Sequence, residues 1–391
     1  MRFVKDKKII DLNKRRKKLN IKKLFRALRV PIVVFAVIIA VFLSARLVGK
    51  VATSNITDSI RQIRTVFSDG KGYPYSLKSL NVRKTDAIGD RLMIISSDES
   101  LVLDSRAGEL FRYQLGNAES KTVTSNGRAL VYSNGSGKVT LQSKTEILGT
   151  VEEPRAVVTA ALAENGRFAT SRSAEGAQSV LTVYDTKFKK EFEWECAEER
   201  ITAIALSPDG KRVAVTATGV ENAEIYSRVI IFNTKKAEPI LDRKFSGTLF
   251  LKIFAPSKNT VIAVGDNKTV VLGKKGEKVD ELTYAENSIS LVESDDKGHI
   301  AVCRSEFGGA KSSVTVFKKN GARAGEISVQ GDSVSIDVGS NKIATVVGDE
   351  IIVYNFKGEE KERIRTESAP SQVIYCNGDV YAVENGFICK Y

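Results

Sequence analysis

Short apolar runs recur along most of this chain, each alternating with polar residues and each bounded by turn residues. The segments RLMIISS (from Arg91), RALVYSN (Arg128), RFATSRS (Arg167), RVAVTAT (Arg212), TVIAVGD (Thr260), HIAVCRS (His299), KIATVVG (Lys342) and DVYAVEN (Asp379) resemble one another. They start 37, 39, 45, 48, 39, 43 and 37 residues apart. Most follow a tight-turn signal such as SPDGK, AENG, TSNG, DDKG or CNG. An extended stretch precedes each turn (ITAIALS, SISLVES, SVSIDVG). A third strand follows each segment (LTVYD, RVIIFN, SVTVF, EIIVYN), and a more polar fourth comes after it (EFEWECA, KVDELTYA, EKERIRTES). Four short strands in each unit of about 40 residues predict the blades of a β-propeller.

A four-stranded blade has two apolar faces and buries neither alone. Stacking blades around an axis buries both, and closing the ring removes the free ends. The last unit opens near Pro370 and ends at Tyr391 after three strands, so its outer strand must come from elsewhere. YPYSLKSLN (73–81), ahead of the first unit, is the expected donor. The reading is all-β with eight blades, or seven if the weak second unit (about 117–152) is irregular.

The pattern ahead of the repeats is different. From Val30 to Ala45 no residue is charged and nearly all are apolar, and Leu47–Gly49 continue the run past Arg46. A helix rises ~1.5 Å per residue, so some twenty residues cover the ~30 Å hydrocarbon core of a bilayer. Pro31 falls in the first turn, where its missing N–H costs little. Phe35 and Phe42 lie inside the span, and Arg46 is near enough to its end to snorkel to the interface. A single-pass transmembrane helix is expected over 30–49. The tail ahead of it, 1–29, is too long for the basic region of a signal peptide, and SARLVGKVATS offers no convincing cleavage site, so an uncleaved anchor is expected.

Charge sets the orientation. Of 60 Lys/Arg and 47 Asp/Glu, 13 and 2 fall within residues 1–29. Arg46 and Lys50 follow, and the remainder from position 51 balances at 45 of each. The basic tail therefore stays cytoplasmic, against anionic headgroups, and the propeller (73–391) is expected to be extracytoplasmic at the plasma membrane. Ile21, Leu24, Phe25 and Leu28 give the tail the spacing of an interfacial helix. The body has no basic excess, which argues against a nucleic-acid partner. Between anchor and propeller, 50–72 reads as a helix with Ile56, Ile60, Ile63 and Phe67 on one stripe, packed under the body, then a linker at SDGKGYP.

Phrases such as LSPDGKRVAVTA and the VYD endings resemble the WD40, YVTN and quinoprotein-like propeller superfamily. The arrangement of basic tail, one span and propeller resembles a family of membrane-anchored propeller proteins of clostridial bacteria. That resemblance covers nearly the full length and implies no chemistry. True WD40 repeats would carry recurrent Gly-His and Trp-Asp pairs, and the chain has one His and one Trp.

Catalytic signals are thin. His299 opens a strand where other units place Arg, Thr, Lys or Asp, so a surface strand-edge histidine is expected rather than a base. A single His removes His-rich metal ligation and most imidazole triads. Cys196, Cys303, Cys376 and Cys389 show no CxxC spacing. Cys376 and Cys389 share a blade, but in its first and third strands, ~10 Å apart and too far for a disulfide. NGSGK (134–138) lacks the leading Gly and the Ser/Thr of a phosphate loop, and Asp209, Asp295 and Asp296 form no calcium ladder. No cofactor, metal or catalytic residue is expected.

Binding is the remaining expectation. Three loops between second and third strands are long: 172–179, 218–228 and 304–313. All three should lie on one face. They supply the candidate interface residues Arg172, Glu175, Glu221, Asn222, Glu224, Tyr226, Arg304, Glu306 and Phe307. The expected function is a non-catalytic binding or scaffold module for an envelope protein partner. The alternatives are a module for cell-wall polymer or a small ligand, and an enzyme with a carboxylate site in the propeller funnel.

Overall fold

The computed structural model describes residues 50–65, 70–116, 119–285, 288–306 and 308–391, with Val33, Phe35, Ala36 and Ile39 ahead of them. The chain divides into two units, Met1–Val48 and Gly49–Tyr391, and among the described residues the second holds the helix Lys50–Thr65 and the strands. Pro31, Phe42 and Arg46 lie outside the described residues, and Phe35 is helical and exposed. Among the described residues, no helix is long and apolar enough to cross a membrane.

The strands form eight antiparallel four-stranded sheets, seven of them in sequence order. Their second strands begin at Arg91, Arg128, Phe168, Arg212, Thr260, Ile300, Lys342 and Asp379, at or within one residue of the repeated segments. The weak second unit is regular, with strands Ser120–Ser125, Arg128–Ser133, Lys138–Ser143 and Ile147–Glu152, so the ring has eight blades. The eighth takes its outer strand from Tyr75–Ser76, where Tyr75 pairs with Ile388 and Ser76 with Phe387. Gln372 adds a clip across the same junction. Its amide donates to Thr85 O (2.5 Å) and accepts from Thr85 N (3.2 Å), tying the first strands of blades 8 and 1.

Burial follows strand position. Arg128–Ser133 and Glu99–Leu103 are buried throughout, whereas the fourth strand Glu360–Arg365 is almost wholly exposed. That gradient explains why fourth strands read as polar. Serines near the start of third strands lock neighbouring blades together. Ser179, Ser227 and Ser312 each accept a backbone N–H from the next blade, from Ile201 (2.9 Å), Phe250 (3.2 Å) and Ser333 (3.1 Å). All three are buried, where an unmet N–H would be costly.

The connections fall on two faces. Turns between first and second and between third and fourth strands share one, the turn face. Second-to-third hairpins and the links between blades share the other, the hairpin face.

The helix Lys50–Thr65 packs on the turn face, and its described contacts there are mostly polar. Val51, Ser54 and Asp58 are buried, while Ile56 is 51% exposed. The side-chain placement of Ile60 and Ile63 and the whole of Phe67 lie outside the described residues. The contact is polar because the turns it meets are polar. Asp58 accepts from Ser143 Oγ (2.8 Å), Thr145 Oγ1 (2.6 Å) and Lys144 N (3.2 Å). Arg128 donates to Ser54 Oγ (2.8 Å), Val51 O (2.8 Å) and Glu164 O (3.0 Å). Gly166, at φ 89°, makes room for Val51: a Cβ there would sit 2.1 Å from Val51 Cγ1. Arg128→Met is expected to free the helix. Amide exchange over 50–65 should rise by at least about tenfold while the strand amides hold. Unchanged protection of the helix would show that Arg128 does not hold it.

Candidate functional site

The three long loops are mostly strand. In blade 4 the second and third strands run to Glu221 and from Glu224, with Asn222 (φ 51°) and Ala223 (φ 63°) alone at the tip. Two successive left-handed residues make the tight turn that suits strand twist. In blade 3 pairing reaches Ala174 and Ala177, leaving Glu175–Gly176 as the turn. In blade 6 it reaches Ser305 and Ser312.

The candidate residues therefore divide. Glu175, Glu221, Asn222, Glu224 and Glu306 are exposed. Phe307 lies outside the described residues. Tyr226, Arg172 and Arg304 are committed to internal contacts. Tyr226 is 8% exposed, and its ring lies across Gly219, its cross-strand partner, where a Cβ would come within 2.6 Å of the ring. Its hydroxyl donates to Glu199 Oε1 (3.0 Å), and Lys244 Nζ sits 3.9 Å from its ring centroid. Arg172 donates to Glu153 Oε2 (3.0 Å) and pairs with Glu193 (3.5 Å). Arg304 bonds Ser313 Oγ (2.9 Å) and Thr315 Oγ1 (3.1 Å) and pairs with Glu326. Blades 3 and 4 adjoin, and blade 6 stands two places away, so these residues do not form one cluster.

Glu153 and Glu199 share a role. Each sits buried in the link to the next blade and fastens that blade's hairpin. Glu153 takes Thr170 Oγ1 (2.5 Å), Tyr184 Oη (2.8 Å) and Arg172; Glu199 takes Cys196 Sγ (3.2 Å), Tyr226 and Arg228 Nη1 (2.9 Å). Burial works to raise the Glu199 carboxyl, but the bonds from Cys196, Arg228 and Tyr226 outweigh it and hold the group below its ordinary value. Outside this network, the blade-4 hairpin projects Val220 (70% exposed) and its partner Ile225 (48% exposed) on one face. The sequence reading missed that pair.

The second feature is the central channel. In blades 1, 3, 4, 5 and 6 the first strand carries one extra residue: Arg83, Val158, Thr202, Leu251 and Ser290. Bulges of this kind re-aim side chains at a rim. Arg83–Lys84 and Leu251–Lys252 are consecutive exposed pairs, as strict alternation would not give. The channel encloses a cavity of about 480 Å³, lined by Lys84 and Asp86 of blade 1, Thr122 of blade 2, Thr159 of blade 3, Lys252 of blade 5 and Glu293 of blade 6. At the turn face it narrows where Asn126 N–H of blade 2 reaches Asp296 Oδ1 of the opposite blade (3.3 Å).

Lys84 Nζ pairs with Asp86 Oδ2 (2.7 Å), and Lys252 Nζ donates to Val292 O (2.6 Å). Asp337 Oδ1 and Oδ2 accept the N–H groups of Val338 and Tyr375, both at 2.7 Å. Burial, with the Glu293 and Asp86 charges nearby, pushes the Asp337 carboxyl up to about 8. Burial also raises Glu293, Asp296 and Glu164. The available signal was a charge inside an inner strand, as in VRKTDAI, SLVES and SIDVG.

His299 lies on the turn face, with Nδ1 2.8 Å from Asp295 Oδ2 and its ring edge-on to Phe356. All four cysteines are free. Burial raises every one of their thiols, Cys196 and Cys376 to about 12 and Cys389 to about 11.

A family signature spans residues 73–387, all of the propeller but most of its last strand. The chain belongs to the family of unknown function DUF5711. No curated protein matches it. Among solved structures it is similar to Saccharomyces cerevisiae Sqt1, at TM-score 0.54 and 8% identity over 82% of this chain and 97% of that one. It is also similar to apo AztD from Citrobacter koseri, at TM-score 0.51 and 14% identity over 75% and 88%. At these identities the likeness establishes the fold.

Proposed function

We propose that this DUF5711 propeller is a membrane-anchored, extracytoplasmic, non-catalytic binding module that meets an envelope protein through its hairpin face. The observation that carries the reading is the blade-4 hairpin. Its tip exposes two paired apolar residues, Val220 and Ile225, beside Glu221 and Glu224. Glu221 is itself paired with Lys244 Nζ (2.6 Å), so the rim carries both signs, and an apolar centre in a polar rim fits a partner surface with an apolar centre of its own. The arrangement of faces supports it. The helix Lys50–Thr65 is fastened to the turn face, which leaves the hairpin face uncovered by it. The raised thiols speak against a cysteine nucleophile.

The test is site-specific photo-crosslinking in living cells, with the probe at position 225 and a control at Thr283 on an outer strand. A protein adduct from 225 alone is expected, lost when Val220→Asp is added. Absence of any adduct from 225, at normal expression, would overturn the protein-partner reading and turn attention to wall polymer.

A further inference from the structure

We propose that the turn face of blades 4–6 lies against an anionic lipid surface, held there by an array of exposed lysines. The inference rests on the membrane anchoring proposed above, which supplies the bilayer. Its basis is a separation of charge between the two ends of the same three blades. From 207 to 334, the connections on the turn face carry nine lysines and five acids. Those on the hairpin face carry four acids and no lysine or arginine. Solubility alone asks for charge at both ends and gives no reason to sort it by sign.

The lysines follow one arrangement in each blade. The first-to-second turn holds one (Lys211, Lys258, Lys297), and the third-to-fourth turn holds an adjacent pair (Lys235–Lys236, Lys274–Lys275, Lys318–Lys319). All nine are exposed, and among the described residues none makes an ion pair or donates a side-chain hydrogen bond. Four of the five acids, in contrast, are used by the turns themselves. Asp209 accepts from Ser207 Oγ (2.7 Å) and Lys211 N (3.2 Å), and Glu277 from Lys275 N (2.8 Å). Asp295 accepts from Lys297 N (3.0 Å) and His299 N (2.8 Å), and Asp296 from Asn126 N (3.3 Å). The fold accounts for these acids and leaves the lysines without a task.

The turns form one surface. Arg212 Nη1 of blade 4 donates to Lys274 O of blade 5 (2.9 Å). Lys258, Lys297, Lys318 and Lys319 line a single hollow of about 950 Å³ with Glu164, Asp209 and Asp296. The described contacts of the helix Lys50–Thr65 fall on blades 2 and 3, so it does not cover these turns. None of the exposed large apolar side chains lies in them, so the packed centre of a protein interface is missing. Ammoniums on long stems, spread over three blades rather than converging on one point, suit a layer of anionic headgroups. The acidic connections at the other end are repelled by the same layer, which fixes the end that faces it.

The test is lysine acetylation read by mass spectrometry, on the full chain reconstituted in lipid nanodiscs. One disc is phosphatidylcholine, and the other contains about one-third phosphatidylglycerol. Lys235, Lys274 and Lys318 are expected to react at least about threefold more slowly in the anionic disc. Lys311, exposed at the blade-6 hairpin, should react equally in both. The protection should vanish at ~0.5 M salt. In a variant combining Lys235→Gln, Lys236→Gln, Lys274→Gln and Lys275→Gln, Lys318 should lose most of its protection. Equal reactivity in the two discs, or protection that survives salt or the fourfold variant, would overturn the inference and leave the anchoring standing. A chain that enters neither disc would overturn both. Equal protection by wall polyanion added to the neutral disc would replace the lipid with polymer and overturn the inference.

Discussion

Glu199→Ala is expected to lower the unfolding free energy by roughly 3 kcal/mol, read as a shift in urea midpoint. Three donors converge on this one buried carboxylate: the Cys196 thiol, the Tyr226 hydroxyl and the Arg228 guanidinium. Removing it leaves the hydroxyl and thiol without an acceptor and Arg228 with Asp242 alone. The loss is larger than that of an ordinary surface pair because the acid is buried and the donors cannot turn to water. Tyr226→Phe, which deletes one donor and keeps the ring over Gly219, should cost only about 1 kcal/mol. A Glu199→Ala variant as stable as the parent would show that the hairpin holds itself without the link.

That pair of variants also separates two roles one side chain can play. Read from sequence, Tyr226 is an aromatic in a long loop, which is how an interface anchor looks. In the structure it is the inner face of a hairpin whose outer face is Val220 and Ile225. The difference is one of parity. Alternation along a strand assigns residues to two faces, but which face is solvent depends on what lies beneath, here Glu199 from the preceding link. Gly219 was the usable clue, since a glycine inside a strand pattern marks a place where something approaches closely.

The ring itself was legible for a different reason. Each blade repeats the same four-strand grammar, so eight weak signals in phase outweigh any irregular one. The borrowed outer strand followed from counting: three strands after Pro370 required a fourth, and 73–81 stood unassigned. The channel did not follow. Its five bulges are relations between two strands and leave no mark in either alone. Its charges are one or two residues per inner strand, and they gain meaning only when blades distant in sequence, such as 1, 6 and 7, are set around one axis. The helix shows the same limit. Its helical pattern was visible, but the polar contacts of Ser54 and Asp58 are made with Arg128 and the turn at Ser143–Thr145, far along the chain.

Asp337 carries the second large effect, and its sign is opposite to that of most carboxylates. In the folded chain burial lifts it to about 8, against about 3.9 when unfolded. Between those values the native state holds a proton that the unfolded chain has released, so stability falls as pH rises from about 4 to about 8 and is level above that. One proton corresponds to a slope of at most ~1.4 kcal/mol per pH unit, and partial hydration of the channel brings the total to roughly 2–4 kcal/mol. Glu293 adds to the trend in the same direction, whereas acids held low by partners, such as Glu199 and Asp280, act in reverse at lower pH. The window for measurement is therefore pH 5–8. Asp337→Asn should be less stable at pH 5, because its amide cannot accept from both Tyr375 and Val338. Its urea midpoint should nevertheless lose most of the decline seen in the parent across that window. A variant whose midpoint falls as steeply as the parent's would place the proton elsewhere in the channel, and Glu293→Gln, expected to flatten the profile by a smaller amount, would locate it.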